Sequence, residues 1–128
     1  MPTVFDHFVV QTPALTMDKL AVSETIYAAL DQQYGQFKGH ILISAHQFTE
    51  NWPTWEQHPA GDEMVILLSG QATMKLRTAD GTTSTQLTTT GEFIIVPEGV
   101  WHTACISVPT TMLFITAGEG TLNQTEPD

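Results

Sequence analysis

After Gly39 this chain shows no further helical periodicity. A series of short apolar or alternating segments takes over, each cut off by glycine, proline or an Asp-Gly pair. Residues 40–48 and 64–68 read as strands. Residues 71–77 alternate cleanly, with Ala72, Met74 and Leu76 on one face and Gln71, Thr73, Lys75 and Arg77 on the other. Ala79-Asp80-Gly81-Thr82 signals a hairpin, because Gly81 accepts a positive φ. The Thr-rich stretch 82–90 suits an edge strand. Residues 93–96 form a strand that stops at Pro97, and residues 100–106 and 110–117 complete the set. Roughly eight or more short strands with such punctuation favour a β-sandwich or barrel. Residues 4–10 add a first strand. One helix precedes the main set, with Ser23 as cap, Glu24 in its first turn, Gly35 as terminator and an apolar stripe through Ile26, Ala29, Leu30 and Gln33-Tyr34.

The chain has 128 residues, enough for one domain with one core. Lys plus Arg is 4 and Asp plus Glu is 14, a formal net charge of −10. Such a surface repels phosphate backbones and anionic lipid, so neither nucleic-acid nor membrane-surface binding is expected. No apolar run is long enough to cross a bilayer. The opening residues lack the basic start and apolar stretch of a secretory signal, so a cytoplasmic location is the expectation. The single cysteine, Cys105, excludes an internal disulfide and is expected as a small buried apolar group. Serine-hydrolase order, phosphate-binding glycine loop, cysteine pair and basic patch are all missing.

Two blocks carry chemistry. The first is Trp55-Glu56-Gln57-His58-Pro59-Ala60-Gly61-Asp62-Glu63, with six residues between Glu63 and Gly70. The second, Gly91 to His102, contains Pro97 and Gly99. On an extended chain Glu56 and His58 share a face, and Trp55 and Gln57 take the other. His102 shares a face with Val100, Ala104 and Ile106. Two imidazoles and one or two carboxylates are the ingredients of a hard-to-borderline metal site.

These spacings resemble the paired motifs of the cupin family. Its first motif has the form Gly-x5-His-x-His-x3-4-Glu-x6-Gly and its second Gly-x5-Pro-x-Gly-x2-His-x3-Asn. His58, Glu63, Gly70, Gly91, Pro97, Gly99 and His102 match. Glu56 stands at the first histidine position, Ile106 at the asparagine, and the opening glycine is absent. The resemblance implies an all-β cupin jelly-roll barrel over residues 40–117. Residues 1–39 would be an extension of the same domain, and residues 118–128 a polar tail. It also implies a divalent metal (Fe, Mn, Ni or Zn) held by Glu56, His58, Glu63 and His102, and a homodimer. Glu56 is read as a fourth ligand in preference to an acid or base beside a facial triad. Glu56 and His46 are the candidate catalytic groups. The implied activity is dioxygenase, isomerase or lyase chemistry on a small oxygen-bearing molecule. Non-catalytic binding of a small acid or sugar, or a purely structural metal, are the alternatives. Val65, Leu67, Met74, Val100, Ala104, Met112 and Phe114 are expected to line the pocket. Trp52 and Trp55 are expected in packing, Trp101 on the face opposite His102, Asp62 in its turn, and His7 outside any site.

Overall fold

The computed structural model describes residues 1–125; the last three positions of the expected tail lie outside the described residues. The elements are β1 (His7–Gln11), β2 (Met17–Ala21), α1 (Ile26–Gln33), β3 (Ile41–Phe48), β4 (Trp55–Gln57), β5 (Glu63–Ser69), β6 (Ala72–Thr78), β7 (Gly81–Leu87), β8 (Phe93–Val96), β9 (Trp101–Cys105), β10 (Thr110–Ala117) and β11 (Leu122–Gln124). The strands form two antiparallel sheets, ordered β2-β1-β3-β10-β5-β8 and β11-β4-β9-β6-β7. This is the expected all-β jelly roll. The Thr-rich β7 is an edge strand, as its composition suggested. No helix among the described residues is long and apolar enough to cross a membrane.

Period-two alternation builds the core. Val65 and Leu67 on β5, Ala72, Met74 and Leu76 on β6, Ala104 on β9, and Met112 and Phe114 on β10 all point between the sheets. Leu67, Met74 and Met112 are completely buried. Gly70 is needed where β5 turns into β6. Its φ is 81°, and a Cβ there would lie 2.4 Å from Pro109 O and 2.6 Å from Thr110 Oγ1. That close approach explains the motif glycine.

A second, smaller core lies under the helix. Phe8 and Val10 of β1, Ile26, Leu30 and Tyr34, and Phe37 pack together, with Leu20 and Leu42 at the margin. β1 pairs with β3, so the first 39 residues extend one sheet and cover its inner face. Several expectations need correction here. The first strand begins at His7, because Thr3–Asp6 closes into a turn whose Thr3 carbonyl accepts the His7 N–H at 3.0 Å. Thr25, not Ser23, precedes the helix, and no side chain caps it. The Ser23 carbonyl instead accepts the Ile26 N–H at 3.2 Å. Ala29 is exposed, so the buried stripe is Ile26, Leu30 and Tyr34. Gly35, at φ 55°, ends the helix as read from the sequence. Cys105 is half-buried rather than buried, since it stands on the outer parity of β9 opposite Thr73.

Candidate metal centre

The strands that bury apolar side chains along most of their length end in polar ones at the barrel mouth. Glu63 opens β5 on the same inward parity as Val65 and Leu67, and is 3% exposed. Across the ladder stands Thr116 of β10, whose hydroxyl donates to Glu63 Oε2 at 2.6 Å. In the opposite sheet His102 begins the inward row that continues through Ala104 and Ile106. Its ladder partner is Glu56 of β4. His58 follows β4 directly and is buried. The centre therefore bridges the two sheets, with Glu63 from one and Glu56, His58 and His102 from the other.

The turns of the two motifs lock together. Gly99 N–H donates to His58 O at 3.0 Å, and Glu98 N–H donates to Asp62 Oδ1 at 2.8 Å. Asp62 thus ties its turn. Ile106, which stands at the motif's asparagine position, packs in the core, and its N–H is met by Asn51 Oδ1 at 2.7 Å.

Hydrogen bonding determines which ring nitrogens are free. The Val100 carbonyl only accepts, so His102 Nδ1, 3.2 Å away, carries the hydrogen. His58 Nδ1 lies 2.9 Å from Thr121 Oγ1, and that hydroxyl donates its own hydrogen to Gly118 O at 3.0 Å. His58 Nδ1 is therefore also a donor. In the neutral rings both Nε2 atoms then present lone pairs to Glu63. The His102 Nε2 to Glu63 Oε1 distance is 3.0 Å, and His58 Nε2 to Glu63 Oε2 is 3.1 Å. Glu56 Oε2 lies 3.7 Å from His58 Nε2 and 4.0 Å from His102 Nε2. Among the described residues, His58 Nε2, His102 Nε2 and Glu63 Oε1 are buried without a hydrogen-bond partner.

Lone pairs facing each other at such distances repel unless a cation lies between them. Ligand atoms sharing one ion at about 2.1 Å stand about 3.0 Å apart at right angles and about 4.2 Å apart when opposite. The distances here fall in that range. Glu56, His58 and His102 also offer ligand atoms all within 4.8 Å of one another. The donor set fits a divalent ion, and both imidazoles have the outer hydrogen bond that orients a metal-binding histidine.

Without a metal the same groups hold protons. Burial raises the Glu63 pKa, but His102 and His58 outweigh it and hold that carboxyl at about 2. Burial lowers the His102 pKa, but Glu63 overrides it and the net shift is upward. Burial and then the charge of Glu63 push Glu56 up. A proton and a metal compete for one set of lone pairs.

The cluster opens on a cavity of about 1210 Å³. His46 lies on its wall, not in the cluster, with Nε2 3.2 Å from the Tyr27 hydroxyl of α1. Burial lowers its pKa. Of the expected apolar liners, Phe114 alone lines the cavity. Val65, Leu67, Met74, Ala104 and Met112 are sealed in the core, and Val100 packs beside them, because a barrel this narrow fills its closed end with side chains. Trp52 lines the cavity, its ring 6.1 Å from His102 and 5.9 Å from Phe114. Trp55 is buried under Arg77, whose guanidinium stands 4.6 Å from the ring centre. Trp101 is half-buried on the outer face, and His7 pairs with Asp6 at 2.6 Å.

Thr116, Thr121 and Tyr27 carry no signal that singles them out in the sequence as site residues. Thr116 comes nearest, since it continues the inward parity of Met112 and Phe114. Thr121 lies in the segment read as a tail, which instead pairs β11 with β4 beside His58. Nothing in the sequence connects that segment to the first motif.

No family model matches the sequence, and no curated protein matches it either. Solved structures do share the fold. An oxalate oxidase structure aligns at 14% identity with a TM-score of 0.56, over 64% of this chain and 45% of its own. Hydroquinone 1,2-dioxygenase from Sphingomonas sp. TTNP3, with 4-hydroxybenzoate bound, aligns at 17% and 0.51, over 59% of this chain and 58% of its own. A cupin-2 domain protein from Shewanella frigidimarina aligns at 20% and 0.51, over 59% of this chain and 68% of its own. The chain spans about half the length of the first two. With this jelly roll, these structural likenesses and a Glu/His/His group at the mouth, the chain is a cupin-fold protein.

Proposed function

We propose that this chain is a divalent-metal cupin enzyme that acts on a small oxygen-bearing organic molecule at the barrel mouth, in the dioxygenase class. The observation that carries this reading is the convergence of two lone-pair Nε2 atoms and Glu63 Oε1, buried without a hydrogen-bond partner among the described residues, where the cavity begins. Likeness to an oxalate oxidase and a hydroquinone dioxygenase supports oxygen chemistry ahead of isomerase or lyase chemistry. A solely structural metal is disfavoured, because a large cavity reaches the cluster through Glu56, whose side chain is 34% exposed.

His58, Glu63, His102 and Glu56 would hold the ion. Once bound it would supply Lewis acidity and a place for substrate oxygen. The protein's own part is to orient and to exclude water. Thr116 and Thr121 fix Glu63 and His58, while Trp52, Phe48 and Phe114 wall off one side. His46, on that wall, would hold or accept a proton at Nε2, and the Tyr27 hydroxyl orients it.

Elemental analysis of protein purified without added metal or chelator tests this, on wild type and Glu56→Gln together. Near-stoichiometric Fe, Mn, Ni or Zn, lost in the variant, supports four ligands. Metal retained with activity cut makes Glu56 an acid or base. Metal-free wild type overturns the proposal.

A further inference from the structure

The chain has 4 cationic side chains, and none lines the cavity. Lys19 is on β2, Lys38 lies in the turn before β3, and Lys75 and Arg77 take the outer parity of β6. The cavity is lined instead by Asp31, Glu50, Glu56, Glu63 and Glu119. Glu56 and Glu63 would together cancel a divalent ion. Asp31, Glu50 and Glu119 are left with no cavity-lining cation to balance them. His46 adds no positive charge near neutrality, since burial favours its uncharged form.

One side of the cavity is aromatic, while neutral polar side chains such as Gln47, Asn51 and Asn123 line other parts of it. Phe48, Trp52 and Phe114 meet with ring centres 5.5 to 6.0 Å apart, and His46 stands 5.8 Å from Phe114. Their faces and edges suit a planar ring. Electron-rich aromatic faces beside carboxylates also favour a cation. The Trp52 indole N–H is buried without an acceptor among the described residues, and an oxygen on the ligand is called for by the proposed metal at the mouth. An aromatic anion would enter against three carboxylates with no Arg or Lys to receive it.

We infer that this cavity takes an aromatic molecule carrying a positively charged amine and an oxygen donor, and rejects aromatic carboxylates of the same shape. This rests on the reading of the mouth as a small-molecule site.

Three probes of one shape test it: 4-hydroxybenzylamine, 4-hydroxybenzyl alcohol and 4-hydroxybenzoate. Each is titrated calorimetrically into the full chain at low salt, with metal content measured on the same samples. The amine is expected to bind at least about tenfold tighter than the benzoate, with the alcohol between them, and added salt should narrow the gap. The triple variant Asp31→Asn, Glu50→Gln, Glu119→Gln keeps the proposed metal ligands and should bring amine and benzoate within about threefold. Benzoate binding as tightly as the amine, no binding of any probe, or a gap unchanged in the triple variant would each overturn the inference. The metal and the charge preference fail separately. Metal-free protein that keeps the amine preference removes the metal and leaves this inference standing. Stoichiometric metal with benzoate preferred does the reverse.

Discussion

The two ends of the barrel are built from the same strands and the same inward parity, yet they do opposite things. At the closed end Val65, Leu67, Met74 and Met112 fill the space between the sheets and are fully buried. At the mouth the same rows arrive at Glu63, Thr116 and His102, which are almost as buried but polar. Buried polar atoms are costly unless partnered. Thr116, Thr121 and the Val100 carbonyl satisfy the outer atoms, and the inner ones are left facing each other. At one end burial supplies stability; at the other it encloses the candidate ligand atoms of His58, Glu63 and His102.

The comparison breaks most readily at the closed end. Met112→Ala should leave a cavity and lower unfolding free energy by about 2–5 kcal/mol in urea titration, with metal content per folded chain unchanged. Loss of metal in that variant would mean the ends are not independent. At the mouth, His102→Ala should abolish stoichiometric metal and remove the stabilisation metal brings, about 3 kcal/mol at a hundredfold excess over Kd. Unchanged metal content would sink the proposed constellation.

Subtler is Thr121→Val, which removes the acceptor for His58 Nδ1. Metal affinity should fall about 10–100-fold by competition with a chelating dye, while the metal-free melting temperature moves little. The smallest effect is in pH. In metal-free protein the depressed Glu63 pKa contributes stability above its ordinary 4.5 that is lost as pH falls towards about 2. The raised His102 pKa contributes stability below its ordinary 6.5 that is lost as pH rises through the folded value. Metal binding needs that nitrogen unprotonated. The gap in melting temperature between loaded and metal-free protein should therefore widen from about pH 5 to about pH 8. A gap that narrows would place the proton elsewhere.

Much of the fold and of the candidate site is legible in the residues. Alternation in 71–77 and the Asp-Gly turn announce β6 and β7, and the motif spacings single out His58, Glu63, Gly70 and His102. The pocket liners are not legible in the same way, because parity says which residues face inward but not how far along the barrel they lie. Cys105 departs from its expected burial because strand parity outweighs apolar preference. The helix start departs from the expected Ser23 cap because the Ser23 carbonyl closes a turn onto the Ile26 N–H and the helix begins after Thr25 with no side-chain cap.

The sequence by itself determined strand parity, turn positions and the candidate ligands, since each depends on residues a few positions apart on a chain of period two. Only the tertiary structure decided that Thr121 orients His58 across 63 positions, that α1 brings Tyr27 to His46, and that the cavity excludes every lysine and arginine. Those facts depend on how distant segments pack, and no local pattern encodes a distance between strands that meet only when the two sheets close.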